Sequence, residues 1–222
     1  MKIFITGVSS GIGYGLVELW LREGIQVYGV GRSNPWGDRI EFIQTDLRNL
    51  EQIPAKLEKW RWEKWDLAVL NSGILGEIKE LTQWGMWELK EVMEVNLWAN
   101  KVLIDWLLGR VKEVVAISSG ASKNGNSGWG GYSISKAALN MLVKIYANEN
   151  PSTRFYALAP GVIDTPMVRK VVAGDREKFP SLQRVDTGKV PLQEGVKKVW
   201  KAIQLLSDYP SGSYLDVREL PV

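Results

Sequence analysis

Tyr132 and Lys136 stand four residues apart at the start of an apolar helical pattern. Just upstream, the β-branched run from Val114 to Ile117 ends in Ser118 and Ser119. The i, i+4 spacing puts phenol and amine on one face of a helix. A positive charge beside a phenol favours phenolate, so an otherwise reluctant hydroxyl becomes a usable proton donor and acceptor near neutrality. Tyr132 is therefore a candidate acid/base, Lys136 its tuner, and Ser118 or Ser119 the group that would hold a reacting oxygen. Such Tyr/Lys pairs are common on ordinary surface helices, so the rest of the chain has to supply the context.

Composition narrows the chemistry. The 222 residues contain no cysteine, which removes disulfides, thiolate nucleophiles and Cys-ligated zinc. They contain no histidine, which removes Ser-His-Asp hydrolysis and the usual imidazole base. No Asp/Glu grouping suggests a metal. A net charge of +3, with basic and acidic residues interleaved, does not make a nucleic-acid surface. No apolar run is long enough to span a bilayer, and the first residues lack a signal-peptide pattern. The expectation is a single domain, 1–222, in the cytoplasm, without membrane or nucleic-acid partners. The eleven tryptophans are read as core and interface packing.

The elements that must position these groups alternate. Strands are expected at Lys2–Thr6, Ile25–Val30, Ile40–Gln44, Leu67–Leu70, the run ending at Ile117, Thr153–Leu158 and Ser213–Val217, with helical apolar stripes between most of them. That order predicts an α/β fold: one Rossmann-type doubly wound domain with a mainly parallel seven-stranded sheet flanked by helices. After the first strand comes Thr6-Gly7-Val8-Ser9-Ser10-Gly11-Ile12-Gly13, a glycine-rich turn into a helix, the form of a dinucleotide-phosphate site. The second strand ends in Gly31-Arg32-Ser33, with an arginine where an acid would favour NAD(H), so NADP(H) is favoured over NAD(H). Asp46 and Leu47 follow the third strand and can meet an adenine. Asn71-Ser72-Gly73 follows the fourth with small residues that let a ligand lie close to backbone. Trp60 to Trp65 is expected to cover a sheet edge. Asn96 sits inside an apolar helical stretch, where an amide is ordinarily structural. The sixth strand closes on Pro160-Gly161-Val162-Ile163-Asp164-Thr165-Pro166-Met167. The charged, irregular segment 168–191 is expected to be a substrate lid.

The set resembles the short-chain dehydrogenase/reductase family, in its compact single-domain branch, over Lys2 to about Met167. Thr6 to Gly13 is similar to the family's cofactor turn, Asp46-Leu47 to its adenine contact, and Asn71-Ser72-Gly73 to its Asn-Asn-Ala-Gly segment. Asn96, Ser119, Tyr132 and Lys136 resemble its catalytic tetrad, and Pro160 through Met167 resembles the segment that meets the nicotinamide. Ser119 is chosen over Ser118 because the family places its serine thirteen positions before the tyrosine (132 − 119 = 13). The resemblance implies hydride transfer between nicotinamide and a ketone or aldehyde. Tyr132 would act as acid, Ser119 would hold the oxygen, and Lys136 would also bind ribose. Asn96 would hold a water that links Lys136 to solvent protons. It implies a homodimer or homotetramer.

Leu215-Asp216-Val217-Arg218 stands where the family has Asp-Gly-Gly, which bears on the tetramer contact. Three other readings stay open at this level. One is a 3-oxoacyl-thioester reductase, whose acidic carrier would meet Arg169, Lys170, Arg176 and Lys178. Another is a non-catalytic NADP(H)-sensing protein. The third, a sugar-nucleotide epimerase, fits the glycine spacing poorly. Ile74, Trp129, Val162, Ile163 and Met167 either line an apolar substrate pocket or belong to the core.

Overall fold

A computed structural model describes residues 1–222. The strands are β1 Lys2–Thr6, β2 Gln26–Gly31, β3 Glu41–Gln44, β4 Trp65–Leu70, β5 Val111–Ile117, β6 Arg154–Ala159 and β7 Tyr214–Asp216. They pair in the order β3-β2-β1-β4-β5-β6-β7, and every pairing is parallel. The helices are α1 Gly11–Arg22, α2 Gln52–Leu57, α3 Met86–Met93, α4 Ala99–Leu107, α5 Ala121–Asn124, α6 Gly130–Glu149, α7 Pro166–Val172, α8 Ser181–Gly188 and α9 Leu192–Leu205. The fold is the expected doubly wound sheet. The order in which strands are added reverses between β1 and β4, and in such sheets the crevice beyond the carboxyl ends at that point takes the ligand.

Strand periodicity divides the core in two. Ile3 and Ile5 face one side of β1 and pack with α1 and α9 residues such as Leu16, Val199 and Ile203. Phe4 faces the other side with Leu103, Leu139 and Val143. Because both faces are covered, the strands carry near-continuous apolar runs rather than polar alternation. A smaller cluster of Leu75, Trp129, Tyr132, Val171, Phe179 and Leu182 lies beneath α7 and α8.

Several expectations change on inspection. Trp60 and Trp65 do not cover a sheet edge. They are buried in an edge-to-face aromatic group with Phe4 and Tyr28 near the amino ends of the central strands, while Trp62 of the same segment is exposed. Aromatic edges carry partial positive charge and faces partial negative charge, so this packing gains beyond area alone. Trp87 and Trp98 are also exposed, so the packing role covers most but not all of the tryptophans. Segment 168–191 is not irregular. It begins within α7, whose N-cap Thr165 accepts a hydrogen bond from the Val168 N–H, and it contains α8. Proline at the first position of α7 and the charged, broken pattern concealed these short helices.

Gly13 brings the first turn of α1 against β1. A β-carbon there would lie 2.0 Å from the Gly7 carbonyl oxygen, a backbone atom that cannot yield cheaply. Gly188, by contrast, has open space around it. Gly13→Ala is expected to cost about 1–3 kcal/mol by overpacking. Gly188→Ala should be neutral or stabilise by up to about 1 kcal/mol. Urea denaturation midpoints of the two variants check this.

Candidate active site

One cavity of about 540 Å³ runs along the carboxyl ends of the sheet. Its floor at β1 is the glycine-rich turn. Gly7 has φ +78°, a left-handed conformation that glycine adopts without penalty, and its N–H donates to the Val30 carbonyl at 2.8 Å. Ser10 precedes α1 in extended conformation and caps it with no side-chain hydrogen bond. The first N–H groups of this twelve-residue helix therefore face the cavity with their positive partial charge uncompensated. The arrangement suits a phosphate.

Thr6 and Asn71 hold the two halves of the crevice together. Thr6 Oγ1 accepts from the N–H groups of Asn71 and Ser72, both at 3.0 Å. Asn71 Nδ2 donates back to the carbonyls of Thr6 and Gly7 at 2.9 and 3.1 Å. Thr6 is completely buried and does not line the cavity, and Gly13 likewise acts behind it. Ser9, Ser10, Gly11, Ile12, Ser72 and Gly73 line it directly.

At the β2–β3 end the wall carries Arg32, Thr45, Asp46, Leu47 and Arg48, and Ser33 lies outside it. Asp46 is already engaged: Arg48 Nη2 donates to it at 2.6 Å and Arg48 Nε at 3.1 Å, and this guanidinium holds the carboxyl at about 2. Arg48 also reaches Glu91 at 3.3 Å. The sequence reading missed Arg48, whose only signal was its position two residues after Asp46. Thr45 Oγ1 is buried without a hydrogen-bond partner beside this wall, a group that a ligand hydroxyl or ring nitrogen would satisfy. Together with the open helix terminus it fits a bound nucleotide.

The reacting end is built by β5 and α6. Lys136 Nζ donates to the Ile117 carbonyl at 2.7 Å and lies 5.8 Å from the Tyr132 ring centre. Asn140, two turns after Tyr132 on the same face, accepts from Ser118 Oγ at 2.5 Å and donates to Ser122 Oγ at 2.9 Å. Ser122 Oγ donates to the Ser119 carbonyl at 2.7 Å, so the loop bearing Ser119 is tied to α6. Ser118, Ser119, Tyr132 and Lys136 all line the cavity. So do Pro160, Gly161, Val162, Ile163, Thr165 and Met167. Ile74, Trp129, Val162, Ile163 and Met167 line it too, and Trp129 and Ile163 are at the same time buried core residues.

Asn96 is placed one layer back. It is fully buried, sits in a π-helical turn, Glu94–Trp98, and does not line the cavity. Its Oδ1 accepts from the Ile74 N–H at 2.8 Å, while Nδ2 donates to the Ile74 carbonyl at 2.8 Å and to Ser135 Oγ at 2.9 Å. Both amide hydrogens are thus committed to protein groups.

In this structure burial, rather than Lys136, dominates the Tyr132 phenol. Burial pushes the Tyr132 phenol up, and the nearby Ser119 hydroxyl only partly offsets it. Burial pulls the Lys136 amine down to about 8. Both groups are dry, and desolvation penalises whichever form is charged.

Parallel sheet, switch-point crevice, uncapped helix terminus and paired phenol and amine define an enzyme of the Rossmann class that works on a bound dinucleotide. The short chain dehydrogenase model matches residues 1–176. Benzil reductase ((S)-benzoin forming) IRC24 of Saccharomyces cerevisiae is 32% identical over 194 residues, 76% of this chain and 74% of that protein. The crystal structure of the YIR035C short-chain dehydrogenase/reductase of the same yeast superposes with a TM-score of 0.85 at 27% identity, covering 99% of this chain and 96% of that one. An NADPH-bound carbonyl reductase from chicken fatty liver shares the fold, with TM-score 0.80, 22% identity and coverage of 98% and 96%. The chain belongs to the short-chain dehydrogenase/reductase family, and as such is a nicotinamide-dependent oxidoreductase of alcohol and carbonyl groups.

The depressed Lys136 amine has a stability consequence. Between its folded value of about 8 and its unfolded value of 10.5 the unfolded chain binds the extra proton, so stability rises with pH in that window. Tyr132 works the other way only above its ordinary value of 10.0. Relative to Lys136→Met, the wild type should gain about 2 kcal/mol between roughly pH 8 and 10, measured by urea unfolding.

Proposed function

We propose that the chain is an NADP(H)-dependent carbonyl reductase that interconverts a ketone or aldehyde with its alcohol. The observation that carries this reading is that Ser119, Tyr132 and Lys136 line the same cavity as the uncapped terminus of α1. The similarity to a benzil reductase and the apolar wall of Leu75, Trp129, Met167 and Val171 support a substrate with an aromatic or alkyl body. The cofactor supplies a hydride to the carbonyl carbon when bound. Tyr132 gives its proton to the carbonyl oxygen, which the Ser119 hydroxyl orients by hydrogen bonding. A phenol kept protonated by burial is suited to that direction of transfer. Lys136, held by the Ile117 carbonyl, favours the phenolate that results. Asn96 fixes the Ile74 backbone and hence the Gly73 turn beside the amine.

Arg32 lines the β2 end of the cavity with no acidic residue in its place at the strand end, which favours the 2′-phosphate of NADP(H). Of the four cations of the carrier-protein reading, Arg169, Arg176 and Lys178 are paired with Asp164, Asp186 and Glu80, which leaves Lys170 as the one without an ion pair and weakens that reading. Trp98 and, on α6, Ile134, Met141 and Ile145 are exposed, and such an apolar stripe supports a homodimer through these helices. No helix is long and apolar enough to cross a membrane.

Two variants test the reading. Tyr132→Phe is expected to lower kcat about 10²–10⁴-fold while NADPH affinity by calorimetry stays within a few-fold. Retention of full turnover rejects Tyr132 as the acid. Arg32→Gln is expected to raise KM for NADPH about tenfold or more, the worth of a lost charge-assisted hydrogen bond, and to leave KM for NADH little changed.

A further inference from the structure

The charges lining the cavity are not evenly mixed. At the β2–β3 end, Arg32 and Arg48 are accompanied by Asp46 and Glu91. At the end that holds Tyr132, the charged residues of the wall are Lys136, Arg184 and Arg218, and no carboxylate lines it.

Arg218 belongs to the segment that departs from the family's C-terminal pattern. It lies two residues past the end of β7, and its guanidinium is fixed by the buried Asp216: Nε donates to Oδ1 at 2.9 Å and Nη2 to Oδ2 at 2.6 Å. Nη1 has no partner. The guanidinium passes over Gly120, the residue after Ser119, where a β-carbon would lie 3.1 Å from Nη2. Its aliphatic stem crosses Gly161 at 3.5 Å from the corresponding point. Gly120 thus makes room for the guanidinium beside the Ser119 loop, while Gly161 is required by its φ of +76° and meets the arginine stem at ordinary contact distance. Asp216 is shared between Arg218 and Lys123, and Glu219 also faces Arg218, so what the site offers a ligand is the free Nη1 rather than a surplus of charge.

Arg184 comes from α8. Four cations of segment 168–191 have acidic partners: Arg169 with Asp164, Arg176 with Asp186, Lys178 with Glu80 and Lys189 with Asp186. Lys170 has none but does not line the cavity. Arg184 has none; its Nη2 donates to the neutral amide oxygen of Asn126 at 3.2 Å, and both residues line the cavity. A guanidinium with spare N–H groups, beside an amide and an apolar wall, presents a planar fork to an anion.

We infer that the carbonyl substrate of this site carries a carboxylate on an aromatic or alkyl body, and that Arg218 and Arg184 receive that carboxylate. The inference rests on the carbonyl-reductase reading above and names its substrate class: an apolar oxo acid. The carbonyl carbon takes the hydride from the reduced nicotinamide and forms the C–H bond. The oxygen takes the Tyr132 proton, and a hydroxy acid and the oxidised nicotinamide leave. The carboxylate itself is unchanged and serves to orient the carbonyl toward Ser119.

Benzoylformate and its methyl ester form a pair that differs in charge at almost constant shape. The wild type is expected to reduce the acid with kcat/KM at least tenfold above the ester, and 0.5 M NaCl should narrow that preference. Arg218→Gln and Arg184→Gln should each lower the acid-to-ester ratio about tenfold, through KM for the acid. Arg218→Lys, which keeps the charge, should restore part of it. Arg218→Gln strands the buried Asp216 and can unfold the chain; Arg184→Gln breaks no ion pair and decides the matter alone. An ester preferred over the acid, with a ratio unmoved by Arg184→Gln, overturns the inference and leaves the carbonyl-reductase reading standing. Turnover of neither compound with NADPH or NADH overturns both.

Discussion

A dry amine governs this structure. Lys136 is 3% exposed and its ammonium has a single protein acceptor, the Ile117 carbonyl. Removing a charge from water costs several kcal/mol unless polar groups replace the lost hydration. The surroundings answer that demand by geometry. Gly73 has no side chain, and one there would sit 3.4 Å from Nζ and 3.2 Å from Asn96 Oδ1. The π-helical turn at Glu94–Trp98 carries Asn96 into reach of Ile74, and that amide in turn fixes the Gly73 turn. Wide turns of this kind are rare and recur at functional sites because they shift a side chain relative to the regular helix. Here the shifted side chain supports the backbone next to the amine.

Helix α6 then works as a ruler along the end of β5. Tyr132, Lys136 and Asn140 follow one another at four-residue steps, and Lys136 and Asn140 grip the Ile117 carbonyl and the Ser118 hydroxyl. The rigidity of the parallel sheet sets where β5 ends, and the helix pitch sets where the three side chains fall. Two regular elements thus fix the spacing of phenol, amine and serine loop without any help from flexible chain. The α7–α8 side is held by the Trp129 indole donating to Ser181 Oγ at 2.9 Å and by the small apolar cluster beneath α8. Specificity built on that side can vary while the reacting groups stay in place.

Much of the site was legible because its chemistry is local. Glycines in a strand-to-helix turn, an arginine at a strand end and a Tyr/Lys pair at i, i+4 are patterns over a few residues, and the backbone realises them wherever strand and helix follow one another. Asp46 shows the limit. Its position at the cavity and its closeness to Arg48, two residues on, were readable, but the reach of Arg48 to Glu91 depends on two segments more than forty residues apart meeting. Asn140 shows it too: an amide in an apolar helical stripe gives no sign that two serines from another element will saturate it. Segment 168–191 was hidden because its helices are too short for a clear period and draw stability from packing rather than propensity.

The chain by itself settled the alternation of strands and helices, the glycine-rich turn after β1, the Tyr132/Lys136 pair on one helix face, and the absence of thiol and imidazole chemistry. These follow from side-chain identity and from periods of two and of about 3.6 residues, which a linear text records. Tertiary structure alone decided the balance of electrostatics. It buried Tyr132 and Lys136 alike, so that desolvation raises the phenol and lowers the amine. It also paired most cations of segment 168–191 and left Arg184 without a carboxylate, and it carried Arg218, just past the last strand, to the loop beside Ser119. The reason is that a charge's worth depends on its distance from water and from other charges, and both are set only when distant segments pack.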